Sequence, residues 1–257
     1  MKVGTDGVLL GAWAEGGSRI LDIGAGTGLI SLMMAQRFPE AQVVGIDIDA
    51  DACQQARENA AASPFADRVV MECCALQELG VRSEELGVRS EELGVRSEEL
   101  GVRSEELGVR SEELGVRSEE LGVASGMLFD AIVSNPPFFV NSMKNPDSKR
   151  SLARHTDSLP FPVLMKGVKR WLSDDGVFSA IVPAEVVEQF VSEAYCSGLL
   201  LARKCGVKTV ERKQPKRYLL AFRKRRLAAL EEEIKTMTDF QGNRSSWYAK
   251  ITEEFYL

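Results

Sequence analysis

Residues 21–28, Leu-Asp-Ile-Gly-Ala-Gly-Thr-Gly, constrain this chain more than any other stretch. They close an apolar run, SRILDIG, and lead into GLISLMMAQRF, whose apolar residues fall at helical spacing. Glycines between a strand and a helix permit a tight turn and let the backbone approach a ligand lying across the strand ends. The spacing is Gly-x-Gly-x-Gly, one residue short of the pattern that cradles a dinucleotide pyrophosphate, and Asp22 precedes Gly24, Gly26 and Gly28. A carboxylate there repels a pyrophosphate and suits a ligand with a cationic amino-acid tail. About 20 residues on, VVGIDID ends a second strand with Asp47, positioned to accept hydrogen bonds from ribose hydroxyls. Together these residues point to S-adenosylmethionine. A nicotinamide cofactor and a ligand-free glycine turn are the competing readings.

The strand-then-helix pattern recurs: AQVVGIDI precedes DADACQQARENAAA, and GVFSAIVP precedes AEVVEQFVSEAYCSG. Short continuous apolar strands alternating with helices predict an α/β fold, a mostly parallel sheet covered on both faces. LARKCGVKTV and KRYLLAFRKR follow one another without a helix and predict an antiparallel closing pair. No apolar run is long enough to span a bilayer, and the glycine-punctuated start is no signal peptide, so a cytoplasmic protein is expected. Cys53, Cys73, Cys74, Cys196 and Cys205 form no Cys-x-x-Cys pair, so neither a metal site nor a disulfide framework is indicated; mostly buried, reduced thiols are expected.

Residues 79–120 are six copies of Leu-Gly-Val-Arg-Ser-Glu-Glu. A period of seven suggests a coiled coil, but Leu86 and Val88 point to nearly opposite sides of a helix, so no seam forms. Glu85 and Arg89 make a favourable i,i+4 pair, yet a residue such as Gly87 in each copy costs about 1 kcal/mol of helix stability. A solvated excursion is expected, inserted in a single domain of residues 1–78 and 121–257, and the protein is expected to be a monomer. With one Arg against two Glu per copy, the repeats carry the whole net charge of −6. Elsewhere, Arg203 to Arg226 holds eleven cations against the single acid Glu211. That is a local basic footprint suited to RNA phosphates, with Lys213, Lys216 and Arg217 in its middle; solvated strand faces are the plainer reading.

After the apolar run FDAIV comes Ser-Asn-Pro-Pro-Phe-Phe, residues 134–139. Asn135-Pro136-Pro137 must end the strand, because proline has no backbone donor and forces its predecessor out of helical geometry. A rigid turn explains this much. An Asn amide, a proline carbonyl and Phe138 at a strand end could also hold a flat, amino-bearing group.

Taken with Asp22, the glycine loop and Asp47, this segment resembles the Asn-Pro-Pro-Phe motif of the amino-methylating branch of class I S-adenosylmethionine-dependent methyltransferases. MKVGTDGVLLGAWA at the start, ARHTDSLPF after the motif, QPKRYLLAF and the terminal FYL are together similar to the bacterial valine-tRNA adenine-37 N6-methyltransferase family. The resemblance covers nearly the whole chain apart from the repeats. It implies a Rossmann-like sheet of seven strands, S-adenosylmethionine as cofactor and tRNA as substrate. It also implies that Asn135 and Pro136 accept hydrogen bonds from the adenine N6 amino group, with Pro137 shaping the loop and Phe138 stacking on the base. Lys2, Gly4, Thr5 and Asp6 then lie near the methionine end of the cofactor, while Asp22, Gly24, Gly26, Gly28 and Asp47 line its pocket. Wider relatives hold the cofactor adenine with an acid after the third strand; here CCALQ leaves that contact to backbone around Ala75 and Leu76. Family members usually carry a further short stretch ahead of KVGTDG, so by the resemblance Met1 is expected to be an internal or misassigned start. Arg154 is expected on the RNA backbone. The single histidine, His155, is expected in substrate-loop packing or phosphate contact, since the reaction needs no strong base. Two other functions stay open at this point. One is methylation of a glutamine amide in release factors, which uses a similar motif; the other is a catalytically inactive RNA-binding protein.

Overall fold

The computed structural model describes residues 4–80, 128–137 and 159–255. Lys2, Phe138, Arg154, His155 and the repeats beyond Gly80 lie outside the described residues. The chain divides into two compact units, Met1–Leu76 with Leu128–Leu257, and Gln77–Met127. The first unit holds the sheet and helices.

Its strands are β1 Arg19–Ile23, β2 Gln42–Asp47, β3 Val69–Cys73, β4 Phe129–Ser134, β5 Leu172–Pro183, β6 Leu200–Val210, β7 Arg217–Arg223 and β8 Glu231–Thr238. Its helices are α1 Thr5–Trp13, α2 Leu29–Arg37, α3 Ala50–Ala61, α4 Phe161–Trp171, α5 Val187–Cys196 and α6 Ser246–Thr252. The strands form one sheet in the order β3-β2-β1-β4-β5-β7-β6-β8. From β3 to β5 every pairing is parallel, and β7 alone runs against both of its neighbours. Ile20, Leu21, Ala131, Ile132, Val133, Phe178, Ala180 and Ile181 are fully buried, as strands covered on both faces require.

Eight strands among the described residues exceed the expected seven. The addition is β8, GluGluGluIleLysThrMetThr, parallel to β6 and with no strand beyond it. It escapes a hydrophobicity reading because its residues are mostly exposed or half-buried. Its backbone ladder to β6 and Met237 packed against the core hold it, with exposed cross-strand charge pairs beside them, Arg203 Nε to Glu231 at 3.2 Å and Lys204 Nζ to Glu232 at 2.6 Å.

Two features orient the site. From β1 the chain moves outward to β2 and β3, then returns to β4 on the other side of β1, so a crevice opens beyond the carboxyl ends of β1 and β4. Helices α1 and α2 also lie side by side in the same direction. A Cβ at Gly7 would meet Leu29 Cδ2 at 3.1 Å and one at Gly11 would meet Met33 Sδ at 2.8 Å. At the far end, Arg37 from the last turn of α2 donates to the carbonyls of Gly11 and Ala14, both at 2.7 Å. The first turn of α1 therefore lies beside the first turn of α2, next to the glycine loop.

Candidate active site

Gly24, Gly26 and Gly28 all have left-handed backbone, with φ of 72°, 57° and 84°. The loop is pinned from β2: Gly24 and Ala25 donate N–H to the Ile46 carbonyl at 2.9 and 3.0 Å, and Gly26 donates to Asp47 Oδ2 at 2.7 Å. The three glycines are not equivalent. A Cβ on Gly24 or Gly26 would meet nothing within 4 Å, whereas one on Gly28 would press on Met71 Cε at 2.7 Å. The first two thus face open space and the third allows helix-to-sheet packing. Gly26→Ala is expected to cost about 1 kcal/mol of stability through its positive φ. Calorimetry should show cofactor affinity falling at least tenfold, by an order-of-magnitude estimate for a methyl group set in the cradle. Gly28→Ala should act mainly on the melting temperature.

Asp22 is fully buried in β1, and its Oδ2 accepts from Ser31 Oγ in the first turn of α2 at 2.6 Å. Gly45 is its register partner on β2; a Cβ there would lie 2.9 Å from Ser31 Oγ and 2.4 Å from Met71 Sδ, so only glycine admits this bond. Oδ1 of Asp22 has no hydrogen-bond partner among the described residues. Burial pushes the carboxyl up to about 7; the Ser31 hydrogen bonds oppose the shift and the charge of Asp47 adds to it. A buried acceptor left without a donor, close to a cradle that any side chain would fill, fits a ligand that brings a cationic amino group. Ser31 was not expected from the sequence. Its one signal is a hydroxyl in the first turn of the helix that follows the loop.

Asp47 ends β2 and serves as a strut, its Oδ1 accepting from Asp49 N–H at 3.0 Å while Oδ2 holds Gly26. Each oxygen keeps a lone pair for a ribose hydroxyl. Asp49 in turn caps α3 through Asp51 and Ala52 N–H. Ala75 is half-buried, and the buried Leu76 side chain packs where a Cβ of Gly167 would lie, 2.4 Å from its Cδ2. No disulfide joins the five cysteines, and Cys53, Cys74 and Cys205 are buried. Burial pushes the Cys53 and Cys205 thiols up to about 12, which disfavours the nucleophilic thiolate.

Ser134, the last residue of β4, pairs in register with Ile23 on β1 and Ala180 on β5, and its Oγ donates to the Ile23 carbonyl at 2.8 Å. Asn135-Pro136-Pro137 therefore leaves β4 directly beside the point where the glycine loop leaves β1. Asn135 is half-buried, Pro136 buried and Pro137 exposed. Burying Pro136 strands no donor, because proline has none.

The basic run divides between the two ends of the sheet. Toward the amino end of β5, Arg203 and Arg223 both bind Glu15, at 3.2 and 2.6 Å; Lys224 pairs with Asp174 at 3.4 Å and Arg225 with Asp175 at 2.6 Å. At the carboxyl end of β5, Arg217 pairs in register with Pro183, and its Nε donates to Asp6 Oδ2 at 2.7 Å. This ion pair brings Thr5 and Asp6 of α1 to the same edge as the glycine and proline loops. The β6–β7 connection lies at this edge too. Its Arg212, Lys213 and Lys216 are exposed, with no ion pair among the described residues. Pro215 is buried against Gly206, which holds the loop in place.

Among the described residues no cluster of His, Cys, Asp and Glu could hold a metal ion, and no helix is long and apolar enough to cross a membrane. The fold resembles that of a predicted O-methyltransferase from Agrobacterium tumefaciens, with a TM-score of 0.60, 14% identity, and 97% of this chain and 96% of that one covered. Residues 14–86, which contain the glycine loop and Asp47, match a methyltransferase domain family. Sheet order, loop and match define a class I S-adenosylmethionine-dependent methyltransferase. Over its whole length the chain is 40% identical to the tRNA1(Val) (adenine(37)-N6)-methyltransferase of Phocaeicola vulgatus, 91% of which is covered. It is 38% identical to the protein of that name from Bacteroides fragilis, again over its whole length and 91% of the relative. The chain belongs to this tRNA1(Val) (adenine(37)-N6)-methyltransferase family.

Proposed function

We propose that this protein transfers a methyl group from S-adenosylmethionine to N6 of adenine-37 in the anticodon loop of valine tRNA, as a cytoplasmic monomer. The observation that carries the reading is the placement of Asn135-Pro136 at the end of β4, against the Gly24–Gly26 cradle at the end of β1.

When bound, the cofactor supplies a methyl group on a sulfonium centre that leaves as a neutral thioether. Gly24 and Gly26 admit it, Asp22 Oδ1 receives its ammonium, Asp47 its ribose hydroxyls, and the backbone at Ala75 and Leu76 its adenine. Lys2, Gly4, Thr5 and Asp6 close the methionine end. The substrate amine is a poor nucleophile because its lone pair is delocalised into the adenine ring. Asn135 Oδ1 and the Pro136 carbonyl each accept one N6 hydrogen, which localises the lone pair and directs it outward; Pro137 stiffens the loop and Phe138 stacks on the base. The methylated nitrogen is strongly acidic and gives its proton to water, so neither His155 nor any other base is required. Catalysis is then chiefly positioning.

Arg154, Lys213, Lys216 and Arg217 contact RNA phosphates, and His155 packs in the substrate loop or meets a phosphate. Replacing Lys213 and Lys216 by alanine is expected to weaken tRNA binding and to reduce the slope of log affinity against log salt by about 0.7 per charge removed, with cofactor affinity unchanged. The repeats carry no part of the site, and removing residues 86–120, which leaves the buried Leu79 in place, should change stability by no more than about 1.5 kcal/mol. The function itself is tested by incubating the protein with labelled S-adenosylmethionine and bulk tRNA lacking this modification, then digesting to nucleosides. Label in N6-methyladenosine is the expected result. A protein that binds cofactor but labels no tRNA would overturn the proposal.

A further inference from the structure

Strand β8 runs parallel to β6, so its carboxyl end reaches the same edge of the sheet as the site: Val210 and Thr238 are register partners, and Thr238 Oγ1 donates to the Thr209 carbonyl at 2.6 Å. Thr236 Oγ1 reaches Glu211 Oε2 at 2.7 Å, tying β8 to the start of the β6–β7 loop. The turn that follows, Asp239-Phe240-Gln241-Gly242-Asn243, is tightly built. Asp239 Oδ1 accepts from Gln241 and Asn243 N–H, both at 2.9 Å, Asp239 N–H donates to the Asn243 carbonyl at 2.9 Å, and Gly242 takes φ 88°. Phe240 stands on this turn 92% exposed, the most exposed of the large apolar side chains among the described residues.

A single exposed apolar residue is ordinary. What sets Phe240 apart is the company it keeps. It is held on the turn that follows Thr238, the register partner of Val210, on the carboxyl-end side of β6 where the β6–β7 loop carries Arg212, Lys213 and Lys216, exposed cations without an ion pair among the described residues. An aromatic face flanked by cations is the arrangement that binds single-stranded nucleic acid, with the base stacking on the ring and the phosphates meeting the charges.

We infer that Phe240 is a stacking platform for an unpaired base of the RNA substrate, a second recognition point remote from the reacting adenine. The inference rests on the proposed RNA substrate. Four strand-to-strand steps separate β4 from β8, about 19 Å at the usual strand spacing, and by register Ser134 is level with Glu232, six residues or about 20 Å short of Thr238, so the two points lie about 28 Å apart. At about 3.4 Å per stacked nucleotide, the base on Phe240 lies within about eight nucleotides of the methylated one. The RNA strand runs between them over Lys216 and Lys213.

The test compares Phe240→Ala, Phe240→Leu and Phe240→Trp with the parent in the full chain. It uses fluorescence anisotropy with a labelled anticodon stem-loop RNA, steady-state transfer to unmodified tRNA, and light scattering. Phe240→Ala is expected to weaken RNA affinity about 5- to 150-fold, the range measured for loss of one base–aromatic stack. KM for tRNA should rise with it, while kcat, cofactor affinity and the salt slope stay put. Phe240→Trp should restore binding and Phe240→Leu should not. Unchanged affinity in Phe240→Ala, or full rescue by leucine, would overturn the inference, as would a change in molecular mass on losing the ring. A parent that binds the RNA but transfers no methyl group would refute the proposed activity alone, and the affinity series would still decide the role of Phe240.

Discussion

Asn135→Ala is expected to give a folded protein that binds S-adenosylmethionine with parental affinity and transfers methyl groups at least about a hundredfold more slowly, the cost typical of removing one positioned hydrogen-bonding group at a reacting atom. Folding should survive because Asn135 lies beyond the last ladder residue of β4, and Ser134, bonded to the Ile23 carbonyl, still anchors the loop. Cofactor affinity should survive because the cradle is built from β1 and β2. The loss belongs in the chemical step. Without the amide oxygen, one N6 hydrogen loses its acceptor and the lone pair remains delocalised in the ring. Single-turnover transfer at saturating tRNA and cofactor measures this directly. A rate within threefold of the parent would reduce Asn135-Pro136-Pro137 to a turn. Ser134→Ala offers a contrast: it removes only the tie between the two loops, so a milder rate loss should accompany a stability loss of about 1 kcal/mol.

Asp22→Asn should separate stability from binding. In the folded, unliganded protein the Asp22 carboxyl holds its proton up to about pH 7, against 3.8 for an ordinary aspartate, because burial penalises the charge. Between these values the folded state binds more protons than the unfolded chain. The contribution of Asp22 to stability is therefore greatest at low pH, falls as pH rises from about 4 to about 7, and is level above that. An asparagine has no charge to bury, so the unfolding free energy of the variant minus that of the parent should grow by up to about 4 kcal/mol between pH 4 and pH 8. Binding should move the other way. Losing a charged acceptor for the cofactor ammonium should weaken affinity by about 10- to 100-fold at pH 8. In the parent, affinity should fall about tenfold per unit below pH 7 as Asp22 takes up its proton, whereas the variant should show no such dependence. Denaturant titrations and calorimetry across this range are sufficient. A flat parental profile would place the ammonium elsewhere.

The strand-helix alternation and the closing antiparallel pair were legible because each rests on a short-range property: apolar continuity for buried strands, helical spacing for their covers. The glycine loop was legible for the same reason. Nothing local marked Gly28 as a packing glycine, however, because its distinction from Gly24 and Gly26 lies in Met71 and Ala56, on other elements. Strand β8 was missed because hydrophobicity detects buried strands, and an edge strand bound by Glu231 and Glu232 to cations of β6 has little to bury. Ser31 was missed because its meaning depends on Gly45 leaving room above Asp22.

The basic run shows where one dimension stops. Its eleven cations read alike along the chain, yet strand direction sends Arg223, Lys224 and Arg225 to one end of the sheet, against Glu15, Asp174 and Asp175, and leaves Arg212, Lys213 and Lys216 at the other. A strand of alternating residues carries the same pattern whichever way it runs, so the pattern holds no record of direction or of the acids it will meet. Backbone chemistry, by contrast, acts at its own position: glycine is favoured where φ is positive and proline where a strand stops. Those requirements could be read from the order of residues alone, and they carried the class of enzyme. Which charges meet acids within the protein and which stay exposed at the β6–β7 loop followed only from packing β7 against the direction of its neighbours, and the turn that carries Phe240 only from adding β8 at the edge.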